Sequence, residues 1–544
     1  MDIHNKWKIN KNQDAQFKKT KEIITRFPPE PSGYLHIGHV KAIFINYVIA
    51  KKYNGKFIVR LDDTNPETES TEYEQSILED IAKLGVVADK YSRTSDYFNK
   101  ILDHADKLVE DGLAYVDDTD KETLKQQRRN FVESKDRNND IEVNIKNWNY
   151  MKEGIKLNCV LRLKLDFKSK NGAMRDPTIY RSGKSHHFTL DKYKVYPTYD
   201  FACPIVDVIE GVTHVYRSTE FNDRDAQYNA ILSMCMNVST SCMLNLEKPR
   251  LASYGKIEFK DAMMSKRKIK DLIKEGKVSG WDDPSLMTIR GLFRRGLCLD
   301  ALIDFISRMG FSKNNIEMTQ DALWGINKKL IDKVATRYMA IKKDNLMKMC
   351  VSYNQSHDSV KNINNFIKNP SLGIRPIYYS PNIYIDKDEY KNVNKDEKIT
   401  LMNWGNMIKK NKVGKLKSVL IGGISLASLS LLSFKKIGLI GGTLGGLCGG
   451  LVGGLLGPMI WHDYFKMHLE GYEKTDKKLL WIANNKMNKP TILYIQDCDK
   501  KEMIMYIGEP DMINIQVGDY IQLLKMDYYR CDSKNDGKIV LIKV

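Results

Sequence analysis

From Glu22 to Phe27 the chain has the apolar character of a buried strand. From Gly38 to Tyr53, Val40, Ile43, Ile45, Val48 and Ile49 recur at mixed helical spacing until Asn54-Gly55 stops the run. Strand, tight loop and helix start are therefore expected in that order. Phe57 to Leu61 reads as a second short buried strand, and Tyr73 to Leu84 as a helix ended by Gly85. This alternation predicts an open parallel sheet with helices on its faces. Asp118 to Gly154 is polar and charged, and Val160 to Phe167 alternates as a half-exposed strand does. Asp282-Asp283-Pro284 suits a helix start, and Ile289 to Phe305 keeps helical spacing. From about Tyr338 short strands take over, among them Ile492 to Ile495, Met503 to Ile507, Tyr520 to Leu524 and Lys538 to Val544, with Gly-containing turns between them.

One stretch breaks the pattern. Ser418 to Phe434 carries no charge, Lys435-Lys436 follows, and Ile437 to Trp461 is again uncharged. Gly441, Gly445, Gly449, Gly453 and Gly457 recur at every fourth position, as on a small-residue helix-packing face in a membrane. Two spans joined at the lysines make a hairpin that returns the chain to its starting side, and lysines 409, 410, 412, 415 and 417 suit a cytosolic flank. Glycine at this density also weakens a helix, so a self-association element, an interfacial loop or a packed plug is an open alternative.

Composition adds two constraints. The formal charge of +18 points to a polyanionic partner. Nine cysteines, scattered and without C-x-x-C spacing, predict a reduced compartment and no structural zinc. Met1 to Lys21 lacks a signal-peptide core and reads as a basic flexible arm, so the cytosol is the expected compartment.

The chemistry sits in Arg26 to His39, RFPPEPSGYLHIGH, at the junction of strand, loop and helix start. A helix N-terminus offers unpaired N–H groups and a positive dipole end, and imidazoles there can hydrogen-bond a phosphate. A lone histidine is usually a packed or surface residue, and a Lys-Arg-Lys run is usually a solvated face. The combination of HIGH with Met264-Ser265-Lys266-Arg267-Lys268 is far more specific. It resembles the signature pair of class I aminoacyl-tRNA synthetases. Arg60 to Pro66, Thr94 to Asp96, Met174 to Thr178, Val195 to Phe201, Glu210 to His214 and Gly280 to Pro284 resemble the glutamyl and glutaminyl branch of eukaryotic and archaeal type. The likeness is strong from about residue 20 to 340, resumes more weakly at Asn403 to Asn406 and from Lys477, and breaks between about 413 and 465.

The resemblance implies activation of an amino acid by ATP with Mg2+, without a dedicated protein metal site, followed by transfer to the terminal adenosine of tRNA. His36, His39 and Lys266 would be the catalytic groups, with Lys268 in support. Glu30, Pro31, Ser32, Gly38 and Lys41 would hold ATP from the first loop and helix. Ser218, Lys256, Ile257, Met264 and Ser265 would hold it from the second half. Two departures stand out: Lys256-Ile257-Glu258-Phe259 replaces the usual RLNL, which removes a guanidinium contact, and Ser285 stands where an arginine is usual. Arg26, Asp62 and Tyr199 match positions that hold the amino acid, and Asp223 matches a contact to acceptor-stem base pairs. Arg217 would be the discriminating residue. Glutaminyl enzymes carry a smaller uncharged residue there, and a guanidinium pairs with a γ-carboxylate bidentately.

The implied fold is α/β: a Rossmann-like class I catalytic domain, an inserted acceptor-binding domain, a helical connector and C-terminal β-barrel anticodon-binding domains. The expected boundaries are 1–19 for the arm, 20–118 and 196–270 for the two catalytic halves, 119–195 for the insertion, 271–337 for the connector and 338–544 for the barrels, interrupted at 413–465. Glutamate ligation to tRNA(Glu) is the leading expectation. A glutaminyl or non-discriminating enzyme is the nearest alternative, and a membrane-tethered tRNA-binding protein with secondary catalysis is the alternative from another class. Residues 418–461 would supply membrane association or self-association.

Overall fold

The computed structural model describes residues 7, 22–237, 247–352, 358–410, 464–467, 474–485 and 488–544. They fall into two compact units, Met1–Asn327 and Lys328–Val544. The expected flexible arm at 1–19 lies outside the described residues except Trp7, which is buried with its ring 5.3 Å from Phe311.

The first unit begins as its apolar pattern predicts, with β1 (Ile24–Phe27), α1 (Ile37–Lys52), β2 (Lys56–Leu61), α2 (Thr71–Lys83), β3 (Lys90–Arg93) and α3 (Phe98–Glu110). β1, β2 and β3 form a parallel sheet in sequence order. Asn54-Gly55 ends α1 for a steric reason: Asn54 takes φ 53°, and a Cβ on Gly55 would lie 1.9 Å from the carbonyl oxygen of Ile23. The chain then leaves the sheet for β4 (Ala114–Asp117), α4 (Lys121–Asn130), α5 (Ile141–Lys152), β5 (Val160–Leu163), β6 (Thr178–Ser182) and β7 (Val195–Pro197). Those four strands pair antiparallel in order.

α6 (Tyr199–Ile209) returns the chain to β8 (His214–Ser218), α7 (Asp225–Asn237) and β9 (Arg250–Tyr254), with β8 parallel to β9. Thr213 ties the two halves together. Its N–H donates to Ile24 O at 2.9 Å, and its Oγ1 accepts from Ile24 N at 2.9 Å. β8 therefore starts beside the start of β1, and the ligand crevice of such a sheet lies beyond the strand ends where the order reverses. The insertion shares its core with this layer: Trp148 of α5 packs on Tyr180 of β6 at 5.3 Å, and Tyr180 on Phe201 of α6 at 5.9 Å.

β10 (Ile257–Phe259) and α8 (Lys266–Lys274) precede the connector, where the structure corrects two expectations. Asp282-Asp283-Pro284 starts no helix. The Asp283 carboxylate instead accepts from Ser279 and Ser285, through their N–H and hydroxyl groups, and Thr288 caps the next helix. The periodic run that follows is two helices, α9 (Ile289–Arg295) and α10 (Leu299–Met309), broken where Gly296 takes φ 114°.

The second unit contains two seven-stranded sheets, each closed by a single-residue step. In one, strand Thr336–Tyr338 lies at one edge and Ala340–Lys342 at the other, so Met339 bridges the edges. In the other, Lys478–Leu479 and Trp481–Ala483 are the edges and Leu480 bridges them. A one-residue step between the two edge strands curls each sheet back on itself, and the apolar cores form two clusters, one of which takes in Met339 and Ile341 from the first sheet.

The glycine-rich hydrophobic segment lies outside the described residues, and no helix among those described is long and apolar enough to cross a membrane. Its attachment points are defined. Strand Gly405–Lys410 pairs antiparallel with Tyr464–Met467, Lys410 opposite Tyr464, so the segment leaves and rejoins the barrel at adjacent strand ends.

Candidate active site

The ends of β1 and β8 open onto one cavity of about 940 Å³, lined by Arg26 and Phe27 on one side and by Tyr216, Arg217 and Ser218 on the other. The sequence patterns placed far apart in the chain meet here. Glu30, His36, Gly38, His39, Lys41, Asp62, Tyr199, Lys256, Ile257, Met264, Ser265 and Lys266 also line it.

His36 is the N-cap of α1, and its Nδ1 accepts from Gly38 N at 3.1 Å, while His39 Nδ1 accepts from His36 N at 3.1 Å. Each neutral ring therefore carries its proton on Nε2, so both are donors. Burial, together with the Lys266 charge, lowers His36 to about 3; burial, His36 and Lys266 hold His39 well below the usual histidine range. Both imidazoles are thus neutral at physiological pH. The helix start adds no acidic residue in its first turn to repel an anion. Gly38 is required for this arrangement, because a Cβ there would lie 2.9 Å from Cε1 of His36.

Lys266, the first residue of α8, reaches across to donate to Glu30 O at 3.1 Å and Ser32 Oγ at 3.4 Å. Lys41 is buried and donates to Gly255 O. Burial brings each ammonium down to about 8. Lys256 differs: Glu220 at 2.8 Å and Glu258 at 2.5 Å already neutralise it and push it up to about 12. The departure at Glu258 therefore removes free positive charge from this corner of the cavity.

On the opposite side, Arg26 is committed through Nε and Nη2 to Asp207, at 3.0 and 3.2 Å. Arg60 shares the same carboxylate at 2.5 Å, and the two guanidinium groups hold Asp207 down to about 2 against the cost of burial. Asp62 has the reverse environment. Burial, Asp63 and Glu30 push it up to about 7, and a positive charge brought beside it would favour its ionised form. Arg217 is buried, pairs through Nη2 with Asp225, and lies over the rings of Tyr228 at 5.2 Å and Phe221 at 5.5 Å.

Four expected residues do not line the cavity. Pro31 and Ser32 are buried in the loop beneath Lys266, and Lys268 is exposed on α8. Asp223 is exposed, and its carbonyl accepts from Asn171 Nδ2 of the insertion at 2.6 Å. Asp207 and Asp225 were missed by the sequence reading. Glu69, His186 and His187 bring donor atoms within 4.8 Å of one another, a spacing a metal ion could use. His186 Nδ1, however, accepts from the N–H groups of Phe188 and Thr189, so its Nε2 proton goes to Asp63 O at 2.8 Å. That ring is a structural hydrogen-bonding group rather than a ligand.

The sequence family described as tRNA synthetases class I (E and Q), catalytic domain, matches residues 22–333, and the corresponding anti-codon binding domain matches 335–422. The bifunctional glutamate/proline–tRNA ligase of Cricetulus griseus is 38% identical over 518 residues, covering 94% of this chain and 32% of that protein. The cytoplasmic glutamate–tRNA ligase of Saccharomyces cerevisiae is 35% identical, covering 98% of this chain and 71% of that one. That of Arabidopsis thaliana is 36% identical, covering 98% and 70%. The chain thus spans about a third of the length of the bifunctional relative.

Proposed function

Since the chain belongs to the class I tRNA synthetases of the E and Q group, we propose that it activates L-glutamate with ATP and transfers it to the 3′-terminal adenosine of tRNA(Glu). The observation that carries this reading is the meeting, in one cavity, of two Nε2–H imidazoles and Lys266 with a buried arginine at position 217. A carboxylate oxygen of glutamate attacks the α-phosphorus of ATP, and the bond to diphosphate breaks. A ribose hydroxyl then attacks the acyl carbon, releasing AMP. ATP enters as its magnesium complex, and the ion belongs to the substrate.

In this reading His36 and His39 donate to phosphate oxygens without carrying charge themselves, and Lys266 meets the departing diphosphate as a point charge. Lys41 supports the nucleotide. Asp62, with Tyr199 beside it, takes the α-ammonium of glutamate, and Arg217 takes its γ-carboxylate. Arg26 acts on the amino acid from a position fixed by Asp207. Asp223, joined to the insertion through Asn171, faces the acceptor stem, and the barrels read the anticodon. The test is aminoacylation of defined tRNAs with glutamate and glutamine side by side. Glutamate is expected to be esterified to tRNA(Glu), with glutamine at least a hundred-fold poorer on the order expected of a mismatched buried charge. Charging with glutamine alone would remove the assignment.

The compartment that fits is the cytosol, with residues 418–461 tethering the enzyme to a membrane surface. The uncharged runs Ser418 to Phe434 and Ile437 to Trp461 support this reading, and attachment at the paired Lys410 and Tyr464 lets the segment leave and return on one side of a membrane. The full chain is expected to stay with carbonate-washed membranes. A variant joining Lys410 to Tyr464 through Asn-Gly, a turn that suits antiparallel strands, is expected to be released yet to charge tRNA normally. Release of the full chain itself would exclude the tether.

A further inference from the structure

Resting on that reading of Arg217, we propose that Asp225 is the positioning residue that sets this guanidinium for a side-chain carboxylate. Arg217 is 7% exposed, and Asp225 is its acceptor; no other hydrogen bond of the guanidinium is present among the described residues. Only Nη2 is engaged, so Asp225 grips one edge of the planar fork and leaves the remaining N–H groups for the cavity that Arg217 lines.

The surroundings make this grip specific. Tyr228 flanks the guanidinium with its ring at 5.2 Å while its hydroxyl donates to Asp207 Oδ2 at 2.9 Å. Asp207 is itself occupied by Arg26 and Arg60, so it does not serve as a second acceptor for Arg217. The neighbouring Arg224 does not compete for Asp225, because it pairs with Asp200 at 2.8 Å. Asp225 opens α7, where the helix dipole favours an anion, and its side chain is 38% exposed. A buried guanidinium without a partner would be costly and free to turn. Held as it is, it meets the incoming carboxylate already oriented.

Two features of a carboxylate are separable here: its acceptor oxygen, which positions, and its charge, which competes with the substrate for the same arginine. Asp225→Asn keeps the acceptor and removes the charge, and Asp225→Ala removes both. In pyrophosphate exchange with tRNA present, Asp225→Ala is expected to raise KM for glutamate about ten-fold, the effect of losing one oriented charge-assisted hydrogen bond, with kcat and KM for ATP within about two-fold. Asp225→Asn is expected to restore KM for glutamate to the parent value or below. An unchanged KM in Asp225→Ala, or an asparagine variant as impaired as the alanine one, would overturn the proposal. Parent protein and Arg217→Ala are measured alongside. If the parent does not activate glutamate, the reading of the site fails. If Arg217→Ala cripples glutamate use while Asp225→Ala leaves KM alone, only the role of Asp225 fails.

Discussion

Arg217→Ala is expected to lower kcat/KM for glutamate on the order of a hundred- to a thousand-fold in pyrophosphate exchange with tRNA present. The size follows from burial. Arg217 lies at the cavity wall, 7% exposed, between the rings of Phe221 and Tyr228, so a γ-carboxylate delivered there gives up its water. Truncating one partner of a buried, hydrogen-bonded charge pair costs about 2–5 kcal/mol, much of it the penalty of leaving the other charge unpaired. Glutamine carries no such charge and should lose far less, so the ratio of the two substrates should move toward glutamine. Stability should change little, because the abandoned Asp225 is 38% exposed and can be hydrated. Undiminished glutamate activation in the variant would refute the assignment of Arg217 and, with it, the choice between the two amino acids.

The catalytic half was legible because its signals are local. The apolar run, the Asn-Gly stop and the HIGH motif lie in one strand, loop and helix, and the helix observed is Ile37–Lys52, against an expected Gly38 to Tyr53. Partners set by tertiary structure were not legible. Asp207 grips Arg26 across 181 residues, and Asp225 reaches Arg217 over a 3-10 turn whose course no periodicity announces. The connector misled for a different reason. Asp-Asp-Pro is compatible with a helix start, but the Asp283 carboxylate found closer donors in Ser279 and Ser285, a competition that sequence spacing alone does not decide. Barrel closure was equally hidden. The strands around Ile492, Met503, Tyr520 and Lys538 could be recognised one by one, but that Met339 and Leu480 each step between opposite edges depends on register.

Replacing Lys266 tests the other end of the cavity. Lys266→Ala is expected to reduce kcat for adenylate formation on the order of a hundred- to a thousand-fold, the usual cost of deleting one preorganised charge from a transition state, with KM for glutamate within about two-fold. The pH profile gives an independent check. Burial lowers the Lys266 ammonium to about 8, so the charged form dominates below that value and is lost as pH rises through it. kcat/KM for ATP should therefore decline above pH 8. Lys41 is also brought to about 8, but Lys266→Arg separates the two: a guanidinium stays charged, so any alkaline decline that survives in this variant belongs to Lys41. The acid side has a different owner. His36 at about 3 and His39, held lower than usual, stay neutral throughout, whereas Asp62 at about 7 is protonated as pH falls and can then no longer pair with the substrate ammonium. kcat/KM for glutamate should accordingly fall below pH 7 while that for ATP holds. A histidine-dominated centre would lose both together, so the substrate dependence of the acid limb decides whether the imidazoles work as neutral donors.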